Sequence, residues 1–141
     1  MQVFSNRMRV PVQEAQPHAP LAAGTVYFAP PGYHLLVEAD RSFSLSCDPP
    51  VLFSRPSINL MMESCADAYG PGLVGIVLTG ANEDGAQGLA RVKARGGLAV
   101  VQDPADALHP AMPRAAIAAA HPDYVLSLAG LHGLLHTVVH R

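Results

Sequence analysis

Three features of the sequence predict an α/β fold: a mostly parallel sheet flanked by helices, with a small antiparallel β-meander at its side. Residues 25–46 alternate short β-rich runs with turn residues. After residue 57, helical stripes alternate with unbroken apolar runs, as in a parallel sheet with helical crossovers. The chain also opens mid-pattern. Arg9-Val10-Pro11-Val12 reads as a strand with nothing before it, and three buried strands make a thin sheet. The N-terminal part of the domain is therefore expected to be missing.

The elements follow in order. Thr25-Val26-Tyr27-Phe28 is a β-rich run ended by Pro30-Pro31-Gly32, a strong turn signal. His34–Glu38 and Ser42–Ser46 complete the meander around the turn Ala39-Asp40-Arg41. Ile58, Met61, Met62, Cys65 and Tyr69 then fall at helical spacing, with Ser57 as N-cap and Gly70-Pro71-Gly72 as terminator. The apolar run Leu73–Leu78 predicts a strand buried on both faces. A helix is expected from about Asp84 to Arg95, then a buried strand at Leu98–Val101. Pro113 opens a short helix through Ala120, Tyr124–Leu126 is a short strand, and Leu131, Leu134, Leu135, Val138 and Val139 stripe a last helix.

Half of the 141 residues are hydrophobic and only 14% are charged, a composition for one folded unit rather than a disordered segment. A net charge of −2 with scattered Lys and Arg excludes a nucleic-acid surface. No run approaches the roughly 18 uncharged apolar residues of a membrane span. Met1–Phe4 is followed at once by Ser5, Asn6 and Arg7, unlike a secretory signal. Cys47 and Cys65 lack metal or redox spacing. The expectation is a cytoplasmic protein with reduced thiols, no cofactor and no metal.

Sites in open α/β sheets lie beyond the carboxyl ends of strands. The richest such end here is Leu78-Thr79-Gly80-Ala81-Asn82-Glu83-Asp84-Gly85-Ala86-Gln87-Gly88. An Asp in this loop can face a cleft and orient a histidine from another loop, stabilising the imidazolium as it forms. Asp84 and Gln87 also have capping-box spacing, and on spacing alone a structural cap is the simpler role. Other signals fail their tests. Gly70–Gly75 matches a dinucleotide glycine pattern but precedes its strand, and Gly80/Gly85 have P-loop spacing without the Lys. His132 and His136 lie off the apolar stripe, on what reads as a solvated face.

A series of short segments carries a family resemblance. They are Pro11–Ala15, Gly24–His34, Arg55-Pro56-Ser57-Ile58, Gly75–Gly80, Asp84-Gly85-Ala86, Val101-Gln102-Asp103-Pro104 and Ala111-Met112-Pro113. In this order and spacing they resemble the C-terminal portion of the chemotaxis protein-glutamate methylesterase (CheB-type) catalytic domain. The resemblance implies a Ser-His-Asp hydrolase acting in bacterial chemotaxis signalling. Such enzymes demethylate methyl-glutamates, and in many members deamidate glutamines, on cytoplasmic helices of methyl-accepting chemoreceptors. By motif match Asp84 is the triad Asp, and Thr79, Gly80, Ala81, Asn82 and Met112 border the site.

Two departures matter. Ala81 stands where members with a receiver domain commonly carry Met. The family's Gly-x-Ser-x-Gly-Gly turn and Gln-His pair do not occur in this sequence. Residues 1–141 thus read as one partial domain, without the strands that carry Ser and His, and inactive alone. Its uncovered N-terminal side implies self-association. Among residues present, Ser57 reads as a helix cap, His34 as a core or edge histidine, and His109 as the one histidine open to a role. The competing function is a non-catalytic relic or interaction module of the same fold. A receiver-like phosphorylation domain lacks both its acidic pocket and its Lys.

Overall fold

The computed structural model describes residues 10–139. Among the described residues, three small sheets and four α-helices build the fold. In the first sheet β1 (Val12–Glu14) runs parallel to β2 (Val26–Phe28), Val12 opposite Val26. In the second, β3 (His34–Val37) and β4 (Phe43–Ser46) form an antiparallel hairpin, Leu35 opposite Leu45. The expected three-stranded meander is therefore split. Pro30 and Pro31 have no N–H to donate to a ladder, and β2 instead takes β1 as its partner across a long loop. The expected strand at Arg9–Val12 shifts to Val12–Glu14; Arg9 itself lies outside the described residues. In the hairpin turn Asp40 accepts from both the hydroxyl and the N–H of Ser42, which hold its carboxyl below the ordinary range.

Helix α1 (Ile58–Tyr69) leads through the Gly70–Gly72 turn to β5 (Val74–Val77). Helix α2 (Ala86–Ala94), β6 (Leu98–Gln102), α3 (Ala111–Ala120), β7 (Tyr124–Leu126) and α4 (Leu128–Val139) follow. The parallel sheet has the order β5-β6-β7, with Val77 opposite Val101 and Val101 opposite Val125. Alternating strands and crossover helices produce this sheet, as the apolar runs predict.

Helix α1 serves two cores. Met62 and Ala66 join Val77, Leu89, Val92, Ala99, Val101, Met112 and Ala116 between sheet and helices. Met61, Cys65, Ala68 and Tyr69 face Leu35, Val37 and Phe43 of the hairpin. Burial pushes the Cys65 thiol up, with the Ser64 hydroxyl pulling weakly the other way.

One expectation is corrected. The run Leu73–Leu78 predicts a strand buried on both faces; β5 is half open on one face and is an edge strand among the described residues. Gly75 and Val77 are buried under α2, whereas Val74 and Ile76 are half-buried. That second face is half open because α4, which packs beside β7, covers it only in part. It leaves an apolar groove of about 290 Å³ between Ile76, Leu78, Leu131 and Leu135. Leu131 is the buried residue of the α4 stripe, while Leu135 and Val138 stay 45% and 37% exposed. No helix among the described residues is long and apolar enough to cross a membrane.

The close crossing of α1 and α2 depends on Gly88. A Cβ there would lie 2.8 Å from Met62 Cβ, 3.0 Å from Asn59 Cα and 3.1 Å from the Asn59 carbonyl oxygen. Two of these neighbours are backbone and cannot swing aside. Gly88→Ala should therefore destabilise the chain by about 1–3 kcal/mol, as overpacking does. Gln87→Ala, at an exposed neighbouring site, should stay within about 0.5 kcal/mol of the parent. Urea unfolding of both variants checks this.

Candidate active site

The loop joining β5 to α2 lies at the carboxyl end of the sheet, and Asp84 is its most buried polar residue, 1% exposed. Its carboxylate turns toward the start of α1. Oδ1 accepts from the Ser57 hydroxyl at 2.9 Å and the Asn59 N–H at 3.1 Å; Oδ2 accepts from the Ile58 N–H at 2.7 Å. These N–H groups belong to the first turn of α1, which has no intrahelical acceptors for them. The positive end of the helix dipole adds to the attraction. No described cation pairs with Asp84, so its carboxylate is met by the start of α1.

The reciprocal bond is equally direct. Asn59, in the first turn of α1, presents Oδ1 to the N–H groups of Gly85 at 2.9 Å and Gly88 at 2.8 Å. The first turn of α1 is thus satisfied by a side chain from the loop leading into α2, and that of α2 by a side chain of α1. The capping-box reading of Asp84 and Gln87 is corrected here. Gly85 is the N-cap of α2 with φ +105, Gln87 is exposed, and Asp84 caps α1. Ser57 is the N-cap of α1 as its position predicts, accepting from the Leu60 N–H at 3.4 Å. The expectation of an Asp84 carboxylate facing an open cleft does not describe this arrangement: it lies beneath the α1 terminus.

His34 joins the same cluster. It is fully buried, its Nδ1 accepting from the Ser57 N–H at 3.1 Å and its Nε2 donating to the Pro49 carbonyl at 2.9 Å. Ser57, His34 and Asp84 therefore meet, but in the wrong order for nucleophilic catalysis. The serine hydroxyl donates to the carboxylate instead of the imidazole, the imidazole has no bond to the carboxylate, and Ser57 is 1% exposed. A triad needs the carboxylate on the histidine and the histidine on an accessible hydroxyl. This set orders helix α1.

The rest of the loop is bound on both sides. Thr79 N–H donates to Oε1 of the buried Gln102 at 2.9 Å, and its hydroxyl oxygen accepts from the His109 N–H at 2.7 Å. Gly80 N–H donates to the His109 carbonyl at 2.9 Å, and the Met112 N–H donates to the Gly80 carbonyl at 3.0 Å. A Cβ at Gly80 would come 2.5 Å from Met112 Cε, so the end of that flexible side chain would have to turn aside. Asn82 Oδ1 accepts from the Asp84 N–H at 2.9 Å, and its Nδ2 donates to Ser54 Oγ at 3.3 Å. Ala81 is exposed, as is His109. The structure thus gathers Thr79, Gly80, Asn82, Asp84 and Met112 around one loop. Sequence reasoning gave Asn59 and Gln102 no role, although a polar residue ending a buried strand was a visible signal at Gln102.

Replacing Asp84 by Asn preserves size but leaves one oxygen for donors on both sides. Whichever way the amide points, the N–H of Ile58 or of Asn59 meets an NH₂ group. Asp84→Asn should cost about 1–3 kcal/mol, the penalty for one unsatisfied buried donor. Asn59→Ala, which removes the cap of α2, should cost about 0.5–2 kcal/mol. Chemical denaturation measures both.

Comparison with known proteins shows the family. The family model for CheB methylesterase matches residues 1–135. A relative from Leptospira interrogans, provisionally named a protein-glutamate methylesterase/protein-glutamine glutaminase, is 49% identical over 126 residues, 89% of this chain and 65% of its own length. The protein-glutamate methylesterase FrzG of Myxococcus xanthus is 39% identical over 129 residues, 90% of this chain and 39% of its own. The crystal structure of the Thermotoga maritima CheB methylesterase catalytic domain superposes with a TM-score of 0.77 at 29% identity, covering 81% of this chain and 62% of that one. The chain spans less than two thirds of the length of these relatives. Match length, identity and fold agree: the chain belongs to the CheB methylesterase family.

Proposed function

We propose that this chain is the C-terminal part of a cytoplasmic protein-glutamate methylesterase and glutamine deamidase acting on chemoreceptor helices in chemotaxis. Asp84 is the Asp of its Ser-His-Asp triad. The serine and histidine come from residues outside these 141. The observation that carries the reading is the free capacity of the Asp84 carboxylate. Of about four lone-pair sites it uses three, and Oδ2 accepts a single bond. A histidine N–H arriving on that oxygen would meet a carboxylate already fixed in position by α1.

The chemistry then follows the general serine-hydrolase course. The serine hydroxyl attacks the methyl-glutamyl carbonyl while the histidine takes its proton. Backbone N–H groups hold the oxyanion, and the histidine returns the proton to the departing methanol. Water, activated by the same histidine, cleaves the acyl-enzyme to leave glutamate. For a glutamine substrate ammonia departs in place of methanol. In this scheme Asp84 orients the imidazole and balances its positive charge, and the bonds to Ile58, Asn59 and Ser57 keep the carboxylate from turning.

A second reading has an observation in its favour. Capping α1 is a complete structural task for Asp84, so the chain could serve as a non-catalytic module of the same fold. Methanol release from methylated receptor helices separates the two. The 141-residue chain alone should release none above background. Joined by a segment bearing the Gly-x-Ser-x-Gly-Gly turn and the Gln-His pair of its relatives, it should become active. In that restored enzyme Asp84→Asn should lower turnover by about 10⁴. Release by the chain alone would show that its nucleophile lies among the residues present. Silence of a folded, joined protein would favour the non-catalytic module.

A further inference from the structure

His34 is buried and ionisable, yet the scheme above gives it no part. It stands at the start of β3, opposite Ser46. Its two partners fix one tautomer. The Pro49 carbonyl, 2.9 Å from Nε2, can only accept, so Nε2 carries the proton. The Ser57 N–H, 3.1 Å from Nδ1, can only donate, so Nδ1 presents a lone pair. The two bonds differ in what could replace them. Pro49 is exposed, so water can serve its carbonyl in place of the ring. Ser57 is 1% exposed, so water cannot serve its N–H.

Ser57 is also where the donors of Asp84 begin. Its N–H goes to His34, while its hydroxyl and the N–H groups of Ile58 and Asn59 go to Asp84. These donors sit on consecutive residues joined by planar peptide units. A displacement of the Ser57 N–H therefore carries with it every donor that fixes the carboxylate. The lone pair on His34 Nδ1 is the acceptor at the upstream end of that run, and it comes from a different element, β3.

We propose that His34 is a positioning residue for the reaction: its Nδ1 seats the Ser57 N–H and thereby sets the direction of the Asp84 carboxylate. The inference rests on the methylesterase reading and adds the residue that holds the donors of its orienting group. His34 has no bond to the carboxylate and acts through Ser57. Two substitutions separate the two ring nitrogens. In His34→Asn the amide ends near the place of Nδ1, and its oxygen can accept from Ser57. In His34→Gln the amide reaches the place of Nε2 and leaves the Ser57 N–H without an acceptor. Asn is the smaller side chain, so a ring that only filled space would make His34→Asn the more damaging change.

The test has two arms. In the 141-residue chain, nitrogen NMR of the His34 ring should show Nε2 protonated and Nδ1 bare; the opposite tautomer would overturn the inference. Amide exchange at Ser57, Ile58 and Asn59 should be roughly ten-fold or more faster in His34→Gln and close to the parent in His34→Asn, with the β6 amides unchanged in both. In the joined enzyme, His34→Gln should lower kcat for methanol release by roughly 10–100-fold with KM little changed, the scale of a misplaced orienting group. His34→Asn should stay within about three-fold of the parent, although its smaller side chain lowers the urea midpoint. Equal losses of kcat in the two variants, a greater loss in His34→Asn, or no loss in either would overturn the inference. Should His34→Gln not fold, the ring tautomer and the kcat of His34→Asn decide it. The catalytic reading is scored on the parent alone. If the joined parent releases no methanol, that reading falls, and amide exchange decides whether His34 seats the donors of Asp84.

Discussion

Two helix N-termini meet at one point in this fold, and the first turn of each is satisfied by a side chain from the start of the other or from the loop leading into it. Asp84 serves the first turn of α1, and Asn59 serves the first turn of α2. Two positive dipole ends so close would repel if left bare, and their unpaired N–H groups would be buried without acceptors. The carboxylate resolves both problems for α1, and the amide oxygen satisfies two donors of α2. Gly88 permits the approach because it places no side chain between the helices. Since α1 also bridges the hairpin core and the sheet core, the alignment of the two halves depends on this crossing.

That arrangement has a functional consequence under the proposed reading. An orienting carboxylate must keep its direction while the histidine changes charge. Rotation of Asp84 would break bonds to Ile58, Asn59 and Ser57 together, so its direction is set by the start of a helix rather than by a flexible loop. The loop before it is equally constrained, with Thr79 on Gln102 and Gly80 between His109 and Met112. Structural and chemical roles for Asp84 are thus compatible, since the bonds that make it a cap are those that would make it a rigid orienting group.

Much of this was legible in the sequence where the determinants are local. The apolar runs at Leu73–Leu78 and Leu98–Val101, the cap at Ser57 and the strand at Tyr124–Leu126 depend on neighbours within a few residues, and their order in the chain is the order in the fold. The features that escaped are pairings across distance. Nothing local tells β2 to choose β1 rather than β3, or tells Asp84 that its donors lie 25 to 27 residues upstream. The half-open face of β5 was hidden for the opposite reason: its apolar run describes a strand covered on both faces, whereas α4 leaves one face half open. At the site, the loop 79–84 was identified by its motif, but the second half of the reciprocal cap, Asn59, looks like any polar residue in a first helical turn.

Amide hydrogen exchange in the parent and in Asp84→Ala tests the reciprocal cap most directly. If the carboxylate holds the two helix starts together, protection should fall at Ile58 and Asn59, which lose their acceptor. It should fall as well at Gly85 and Gly88, whose acceptor Asn59 is then released, while the amides of β6 keep their protection. Unchanged exchange at Ile58 and Asn59 would contradict the account, because the two helix starts would then be ordered without Asp84.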